Sequence, residues 1–328
     1  MIARVSDYRT YLMGISILWI ILFHTAWYLW FPKVIEMFQM SGNYGVDIFI
    51  FVSVYGLYHS MQNKLTLRQW YFRRLKRIIP SFLIVATMLA FIECWSVTDY
   101  IKEIAFIGFL LPNIKYEVVF WYIPAILIFY AIFPYVYKYR KKRVIYIFIP
   151  LAYIFCNYFT HYIQSVNYSL FLCFFFMRIP IFLIGLLYAD NEEELMSLCE
   201  KKHMFAIIVL SVVCFLLFLA VCNKWIGLTI SNQQSLYIIG SLPFLCFVSY
   251  VLQEKVKILN PIALFCGRYS LQLYLIHVAY INIILHVDFF SRFNQIYMFV
   301  IAILLSFPSA FLLSKIEGCI INLIDGKK

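Results

Sequence analysis

Long uncharged stretches recur along this chain, and residues 204–222, "MFAIIVLSVVCFLLFLAVC", are the clearest of them. About 20 apolar residues in a helix cross the roughly 30 Å of hydrocarbon in a bilayer. Hydrophobic residues make up 64% of the chain and charged residues 13%, which excludes an ordinary soluble globular domain. The sequence therefore predicts an all-α, polytopic integral membrane protein, with residues 1–328 forming one membrane domain.

We predict ten membrane spans, and the "YIKEIAFIGFLLPN" stretch before the fourth is expected to form an interfacial or re-entrant helix. The predicted spans are residues 10–30, 42–62, 78–96, 117–137, 144–160, 168–189, 204–222, 234–253, 269–286 and 295–316. In this assignment Pro80 lies at the beginning of the third span. Counts of nine and eleven spans stay open.

The distribution of Lys and Arg predicts the orientation of these spans. With the N-terminus in the cytoplasm, 21 of the 27 basic residues fall in inner segments and five in outer loops. Cytoplasmic loops carry this excess in membrane proteins, so we expect both termini inside, in the plasma or inner membrane. The same rule accounts for the net charge of +11, which therefore gives no reason to expect a nucleic-acid partner.

Ionisable residues inside apolar spans mark the expected functional site. His24 lies about six residues before the end of the first predicted span, and Asp47 about five residues into the second. At 1.5 Å per residue both lie roughly 8 to 9 Å below the same surface. An aspartate beside a histidine orients a general base, and an alternative is a structural hydrogen bond between the two helices. The nine cysteines show no metal-binding spacing, and we assign no metal site.

Further charged residues follow on other spans. Arg178 falls near the middle of the sixth span, and His277 lies about eight residues into the ninth, so we expect both in the inner half of the membrane. A buried arginine needs a carboxylate or an anionic ligand, whereas His277 is also explained as a contact between helices. The cluster Arg73, Arg74 and Arg77 is suited to binding phosphates. The positive-inside rule and anionic lipid headgroups explain this cluster equally well.

Five fragments in order resemble the acyltransferase family three, whose integral membrane enzymes move acyl groups from coenzyme A to sugar hydroxyls of surface glycans. The fragments are "LMGISILWIILFH", "GNYGVDIFIFVS", "YFRRLKRIIPSF", "FWYIPAILIFYAIFP" and "CGRYSLQLYLIH". The resemblance implies that His24 is the essential histidine and that Asp47 is the acidic residue of the second helix. It also implies acetyl-CoA as the donor substrate, with no permanently bound cofactor.

The resemblance extends to the donor and acceptor residues. It places Arg73, Arg74 and Arg77 at the donor, and we add Arg178 and His277 to that group. Trp121 and Tyr122 are assigned to the acceptor pocket, although an interfacial aromatic belt explains aromatic residues at such positions too.

Two departures from the family pattern affect the donor site. The usual arginine eleven residues before the histidine is Met13 here, and Arg9, one turn earlier, is the candidate to replace it. The glycine of the family's Ser-Gly-Phe element is replaced by Val54.

The sequence thus predicts a membrane-bound O-acetyltransferase. We favour direct transfer of the acyl group from the thioester to the acceptor hydroxyl over a covalent acyl-histidine intermediate. The expected partners of the protein are acyl-CoA, a sugar or lipid-linked glycan, membrane lipids and a second copy of the chain. A transporter or flippase with a His, Asp and Arg relay is the alternative, and a scaffold subunit is a third. Transporters are often built from two similar halves, and this sequence shows no internal repeat of that kind.

Overall fold

A computed structural model gives the fold of residues 5–26, 31–63, 65–110, 120–141, 144–165, 170–198, 203–224 and 233–326. Within these ranges the chain is helical and contains no strand. In the first half the helices are α1 (Val5–His24), α2 (Lys33–Met40), a 3₁₀ turn (Gly42–Tyr44), α3 (Gly45–Met61), α4 (Leu67–Ile92), α5 (Val97–Ile104), α6 (Ile107–Leu110), α7 (Tyr122–Tyr139) and α8 (Val144–Ser165). In the second half they are α9 (Leu170–Phe176), α10 (Ile179–Asp190), α11 (Glu192–Leu198), α12 (Met204–Cys222), α13 (Gln233–Gly240), α14 (Leu242–Glu254), α15 (Asn260–Arg268), α16 (Ser270–His286), α17 (Asp288–Ser291) and α18 (Gln295–Ile324).

Length and apolar composition make five helices of the described chain suitable for crossing a membrane. They are Leu67–Ile92, Tyr122–Tyr139, Phe171–Asp190, Met204–Cys222 and Gln295–Ile324, of which Phe171–Asp190 joins α9 and α10 into one span across their short break. The pair α15 and α16 is a sixth candidate, bent by 82° at its break. The protein is therefore an all-helical, multi-pass membrane protein, while the count of ten spans and the cytoplasmic termini stay predictions.

Two helix ends that differ from the predicted spans have a local reason. The first helix ends at His24 instead of extending to residue 30, so the histidine lies at a helix terminus. The helix of the third span begins at Leu67, where the Thr66 hydroxyl and the Gln69 side chain form a capping box. Pro80 therefore lies inside that helix and not at its beginning. A proline removes one backbone hydrogen bond from a helix, and membrane helices tolerate this loss because neighbouring groups bond to the freed carbonyl.

The stretch expected to be interfacial or re-entrant forms two short helices, α5 and α6. The Ser96 hydroxyl accepts a hydrogen bond from the Asp99 backbone and begins α5. Phe106, between the two helices, has a φ of 59°, a left-handed conformation that reverses the chain. The end of the stretch, residues 111–113, lies outside the described residues.

Helix α1 lies at the centre of the fold and packs against α3, α14, α15 and α16. Its approach to α15 is very close, because glycines on both helices remove the side chains between them. A Cβ on Gly14 would lie 2.3 Å from the Ala263 carbonyl oxygen, and one on Gly267 would lie 1.9 Å from the Thr10 carbonyl oxygen. Small residues let helix backbones approach in membranes, where packing replaces the hydrophobic effect between helices.

A buried carboxylate connects three other helices. Glu317 on α18 accepts hydrogen bonds from the Ser81 hydroxyl on α4 and from the Gln272 amide on α16, the latter at 2.6 Å. Since both donors bond the same oxygen, the carboxylate holds α4 and α16 in a defined register. That register matters below, because α4 carries the arginine cluster and α16 carries His277.

Gly267→Ala should destabilise the protein, because the new methyl group meets the backbone of Thr10. Overpacking of this kind costs about 1–3 kcal/mol, which thermal unfolding of the purified protein in detergent will measure. Gly318→Ala on α18 is the matched control, since no atom lies within 4 Å of its new Cβ. Equal unfolding temperatures for the two variants would contradict the close packing of α1 on α15.

Candidate active site

A cavity of about 350 Å³ opens beside the end of α1, and we call it the histidine cavity. This volume lies within the roughly 300–1,000 Å³ of typical small-molecule sites. Polar side chains converge on it from several helices, among mostly aromatic and aliphatic neighbours. The lining includes His24, Asn43, Trp121, Phe174, Arg178, Tyr274, Asn282 and His286.

One face of α16 forms much of the wall of the histidine cavity. Tyr274, Val278, Ile281, Asn282 and Leu285 all line it. Their spacings of four, three, one and three residues repeat with the helical period, so these side chains share one face. The apolar composition of α16 conceals this face in the sequence, because cavity-facing and lipid-facing positions are both largely hydrophobic.

His24 and His277 form a direct pair at the base of this wall. The His277 Nε2 atom lies 3.2 Å from the His24 Nδ1 atom, and the ring centroids are 5.1 Å apart. His277 is buried with 1% of its surface exposed. The sequence analysis placed His277 in the inner half of the membrane, but it is the eighth residue of the 17 in α16 and reaches the terminus of α1.

Backbone carbonyls determine which nitrogens carry hydrogen in this pair. The His277 Nδ1 atom lies 2.7 Å from the Leu273 carbonyl oxygen, and the His24 Nδ1 atom lies 3.0 Å from the Ile20 carbonyl oxygen. A carbonyl oxygen only accepts, so both Nδ1 atoms are donors. In neutral rings His277 Nε2 is then an acceptor for the His24 Nδ1–H. This assignment leaves His24 Nε2 unprotonated and available as a base.

Asp47 is paired with Arg178, at 3.1 Å between Oδ1 and Nε. The sequence analysis expected Asp47 to orient His24, whereas the ring-to-ring hydrogen bond of His24 is with His277. Both charged side chains are buried, with 1% and 6% exposed. A buried arginine requires such a partner, which explains why the carboxylate faces the guanidinium.

A break between α9 and α10 positions Arg178. Arg178 is the N-cap of α10, and Pro180 follows in the first turn of that helix, where a backbone N–H has no partner within the helix. The guanidinium donates to the Phe174 carbonyl at 2.9 Å and lies 5.1 Å from the Trp121 ring centroid. Arg178 therefore borders the histidine cavity, away from the arginine cluster with which the sequence analysis grouped it.

A second, narrower cavity of about 50 Å³ lies toward the beginning of α1, and we call it the arginine cavity. Its cationic lining is Arg9 and Arg77, and Met13, Ser53, Tyr122 and Tyr130 complete much of its wall. Tyr122, assigned to the acceptor pocket from the sequence, therefore lies on the arginine cavity, whereas Trp121 lies on the histidine cavity.

Arg9, the candidate to replace the arginine missing at position 13, lines the arginine cavity together with Met13. Its guanidinium packs on Gly56, where an added Cβ would lie 2.6 Å from Nη2. This contact joins Arg9 on α1 to Gly56 on α3, two residues after Val54.

The three residues of the predicted donor cluster have different surroundings. Arg77 lines the arginine cavity, and Arg74 is half-buried over the Trp70 ring, at 5.5 Å from its centroid. Arg73 is exposed and is not part of the cavity lining. Of these three arginines Arg77, which is also exposed, is the one in the cavity lining.

The rim of the histidine cavity carries a carboxylate just beyond the end of α4. Glu93 lies 4.0 Å from the Nδ1 atom of His286, which lines the cavity. Burial raises the pKa of the Glu93 carboxyl above its usual value, and the Trp95 indole N–H, which donates to it at 2.9 Å, and His286 oppose this rise. The sequence analysis did not select Glu93, Asn282 or His286, although helical spacing from His277 places the latter two near the end of the same helix.

The fold and site define a multi-pass membrane protein with a buried histidine pair on a cavity and an arginine-lined cavity at the other end of α1. A family model described as an acyltransferase domain, that of the acyltransferase family three, matches residues 10–315, nearly the whole chain. The chain belongs to this family. Searches of curated proteins and of solved structures found no match.

Asp47→Asn should destabilise the protein strongly, because it leaves the Arg178 cation buried without its anion. Removing one partner of a buried pair costs about 3–5 kcal/mol, which will appear as a lowered thermal midpoint in detergent. The control is Asp325→Asn, which breaks the more exposed pair with Lys76. An exposed pair contributes about 0–1 kcal/mol, so similar shifts for both variants would argue against a buried ion pair.

Proposed function

We propose that this protein transfers an acyl group, acetyl in our assignment, from cytosolic acyl-CoA to a sugar hydroxyl of a cell-surface polysaccharide or lipid-linked glycan. Membership of the family supports acyl transfer in general. The observation that carries the proposal is the position of the His24 ring on the histidine cavity, with Nδ1 3.0 Å from the Ile20 carbonyl oxygen and 3.2 Å from His277 Nε2. These contacts occupy Nδ1, and we infer that Nε2 is the unprotonated nitrogen. A hydroxyl is a poor nucleophile at neutral pH, and an unprotonated imidazole nitrogen is the base that activates it.

The two cavities supply separate places for donor and acceptor. Arg9 and His24 are 15 residues apart on α1, which corresponds to about 22 Å along the helix. The cationic arginine cavity suits the phosphates of coenzyme A, whose long pantetheine arm is able to cover such a distance. With the N-terminus in the cytoplasm, as the basic loops predict, the arginine cavity faces the cytosolic donor.

The histidine cavity suits a sugar. The indole of Trp121 offers a flat apolar face, and Asn43 and Asn282 offer amide groups to hydroxyls. The Asn43 Oδ1 atom is buried and has no hydrogen-bond partner among the described residues, so a ligand hydroxyl is suited to donate to it.

The reaction balances with His24 as the sole titrating group. Its Nε2 removes the proton from the acceptor hydroxyl as the oxygen bonds to the thioester carbonyl carbon. The tetrahedral intermediate then breaks its carbon–sulfur bond, and the imidazolium returns the proton to the departing thiolate. His277 accepts the His24 Nδ1–H throughout and so stabilises the imidazolium, the role expected from Asp47 in the sequence analysis.

His24→Ala should abolish transfer of labelled acetyl groups from acetyl-CoA to the glycan and lipid fraction of inverted membrane vesicles. General bases contribute about 10² to 10⁴-fold to rate, so activity should fall below about a hundredth of wild type. Membrane insertion should be unchanged, because the substitution makes the span more apolar.

Two results of this assay would contradict the proposal. Retention of more than about a tenth of wild-type activity by His24→Ala would exclude the general-base role. Wild-type vesicles that transfer no acetyl group, yet move a labelled glycan across the membrane, would favour the transporter instead.

Arg77→Gln should raise the apparent donor KM more than it lowers kcat, because a remote phosphate contact stabilises ground and transition states about equally. We expect a smaller effect for Arg74→Gln and the smallest for Arg73→Gln, following their positions around the cavity.

Arg68→Gln, an exposed charge in the first turn of the same helix, serves as the control for altered membrane charge. A donor KM that is unchanged in Arg77→Gln would show that this cluster only satisfies the positive-inside rule and anchors lipid headgroups.

A further inference from the structure

Tyr274 separates the two cavities. It lines both of them, as do Ile20 on α1 and Val46 on α3. We call these three shared residues the partition between the cavities. The side chains of Ile20 and Val46 are aliphatic, whereas that of Tyr274 carries a phenol hydroxyl. Any thioester that passes from the arginine cavity to His24 meets the Tyr274 side chain on the way.

The hydroxyl group of Tyr274 is buried and lacks a hydrogen-bond partner among the described residues. The side chain as a whole is 5% exposed. The backbone N–H of Tyr122 lies close to the phenol oxygen, but an N–H only donates. Within the described part of the chain the proton of the Tyr274 hydroxyl therefore has no acceptor, although leaving a buried hydroxyl unsatisfied costs about 1–3 kcal/mol.

Three other tyrosines of the fold, of which Tyr55 and Tyr58 are buried and Tyr280 is half-buried, satisfy this requirement. The Tyr55 hydroxyl bonds to Glu192, the Tyr58 hydroxyl to Asp190 at 2.9 Å, and the Tyr280 hydroxyl to Ser309 at 2.6 Å. Tyr280 is especially informative because it lies on α16 with Tyr274. Among the described residues, Tyr274 is the aromatic side chain common to both cavity linings, and its hydroxyl is the unsatisfied one.

The surroundings of the Tyr274 ring hold it in place beside the histidine pair. Its ring packs edge-on against Tyr122 at 5.4 Å and against His277 at 5.9 Å between centroids. His277 in turn contacts His24. A rigid donor close to the base is the arrangement that stabilises charge developing on a carbonyl oxygen.

We propose that Tyr274 is a further catalytic residue, whose hydroxyl donates a hydrogen bond to the thioester carbonyl oxygen at the partition between the two cavities. This inference rests on the proposed acyl transfer. As the acceptor oxygen bonds to the carbonyl carbon, the carbonyl π electrons move to oxygen, and the Tyr274 O–H stabilises that oxyanion without transferring its proton. The charge disappears when the carbon–sulfur bond breaks and the thiolate takes the proton from His24.

Tyr274→Phe removes the hydroxyl and keeps the ring that forms the partition. In inverted vesicles supplied with labelled acetyl-CoA, we expect kcat to fall about 10² to 10³-fold, the loss typical of one oxyanion donor. The donor KM should change by less than about threefold, because the bond strengthens only in the transition state. The thermal midpoint in detergent should change little, since the Tyr274 O–H donates to no group among the described residues of the folded protein.

Tyr280→Phe is the matched control on the same helix, and it does lose a hydrogen bond in the folded protein. We expect this control to lower the thermal midpoint while kcat stays within about threefold of wild type. If the Tyr274 hydroxyl had a purely structural role, Tyr274→Phe would lower the thermal midpoint and leave kcat close to that of wild type.

Three outcomes overturn the assignment of Tyr274. A kcat for Tyr274→Phe within about threefold of wild type excludes the oxyanion role while leaving acyl transfer in place. A lowered thermal midpoint shows that the hydroxyl bonds within the protein. Wild-type vesicles that neither label an acceptor nor release coenzyme A thiol overturn the proposed function itself, and the role of Tyr274 with it.

Discussion

The close packing of α1 against its neighbours is the constraint on which the site depends. Glycines at positions 14 and 267 bring the backbones of α1 and α15 together, and bulk at either position would meet a carbonyl oxygen. Because α1 carries Arg9 near its beginning and His24 at its end, its placement fixes a residue of each cavity. In a membrane, where apolar side chains gain little from leaving lipid, such close backbone contact supplies much of the specificity of helix association.

Buried polar pairs then determine how the other helices face α1. Asp47 on α3 and Arg178 beside α10 neutralise each other, and His24 and His277 connect α1 to α16. Glu317 adds the contact of α18 with α4 and α16. Each pair is costly to break in a low-dielectric interior, so a small number of contacts selects one arrangement among many apolar packings.

Two breaks between consecutive helices, at α9–α10 and at α15–α16, determine where Arg178 and α16 lie relative to α1. Arg178 lies where α9 gives way to α10, so its backbone turns and its guanidinium reaches both Asp47 and Trp121. The 82° bend between α15 and α16 lets Gly267 approach α1 while α16 continues past His24. Irregular backbone at membrane depth is tolerated where protein or a cavity surrounds it, and both breaks adjoin such places.

The amino-acid sequence by itself determined the helical membrane architecture, the family and His24 as the central candidate. These follow from local properties, namely hydropathy over a span, the order of short fragments, and one ionisable ring in an apolar helix. Arg9 as the replacement for the missing arginine stays a prediction, based on its place one helical turn before position 13.

Only the tertiary structure decided which of these groups meet. Asp47 and His277 both had the chemistry to orient His24, and counting residues along separate spans favoured Asp47. In the structure His277 contacts His24, because α1 ends at His24 and α16 turns His277 toward that end. Asp47 instead pairs with Arg178, a buried cation that needs an anion. Tyr274 was invisible in the sequence for the same reason, since a tyrosine in an apolar helix becomes distinctive only when the packing of other helices leaves its hydroxyl without an acceptor.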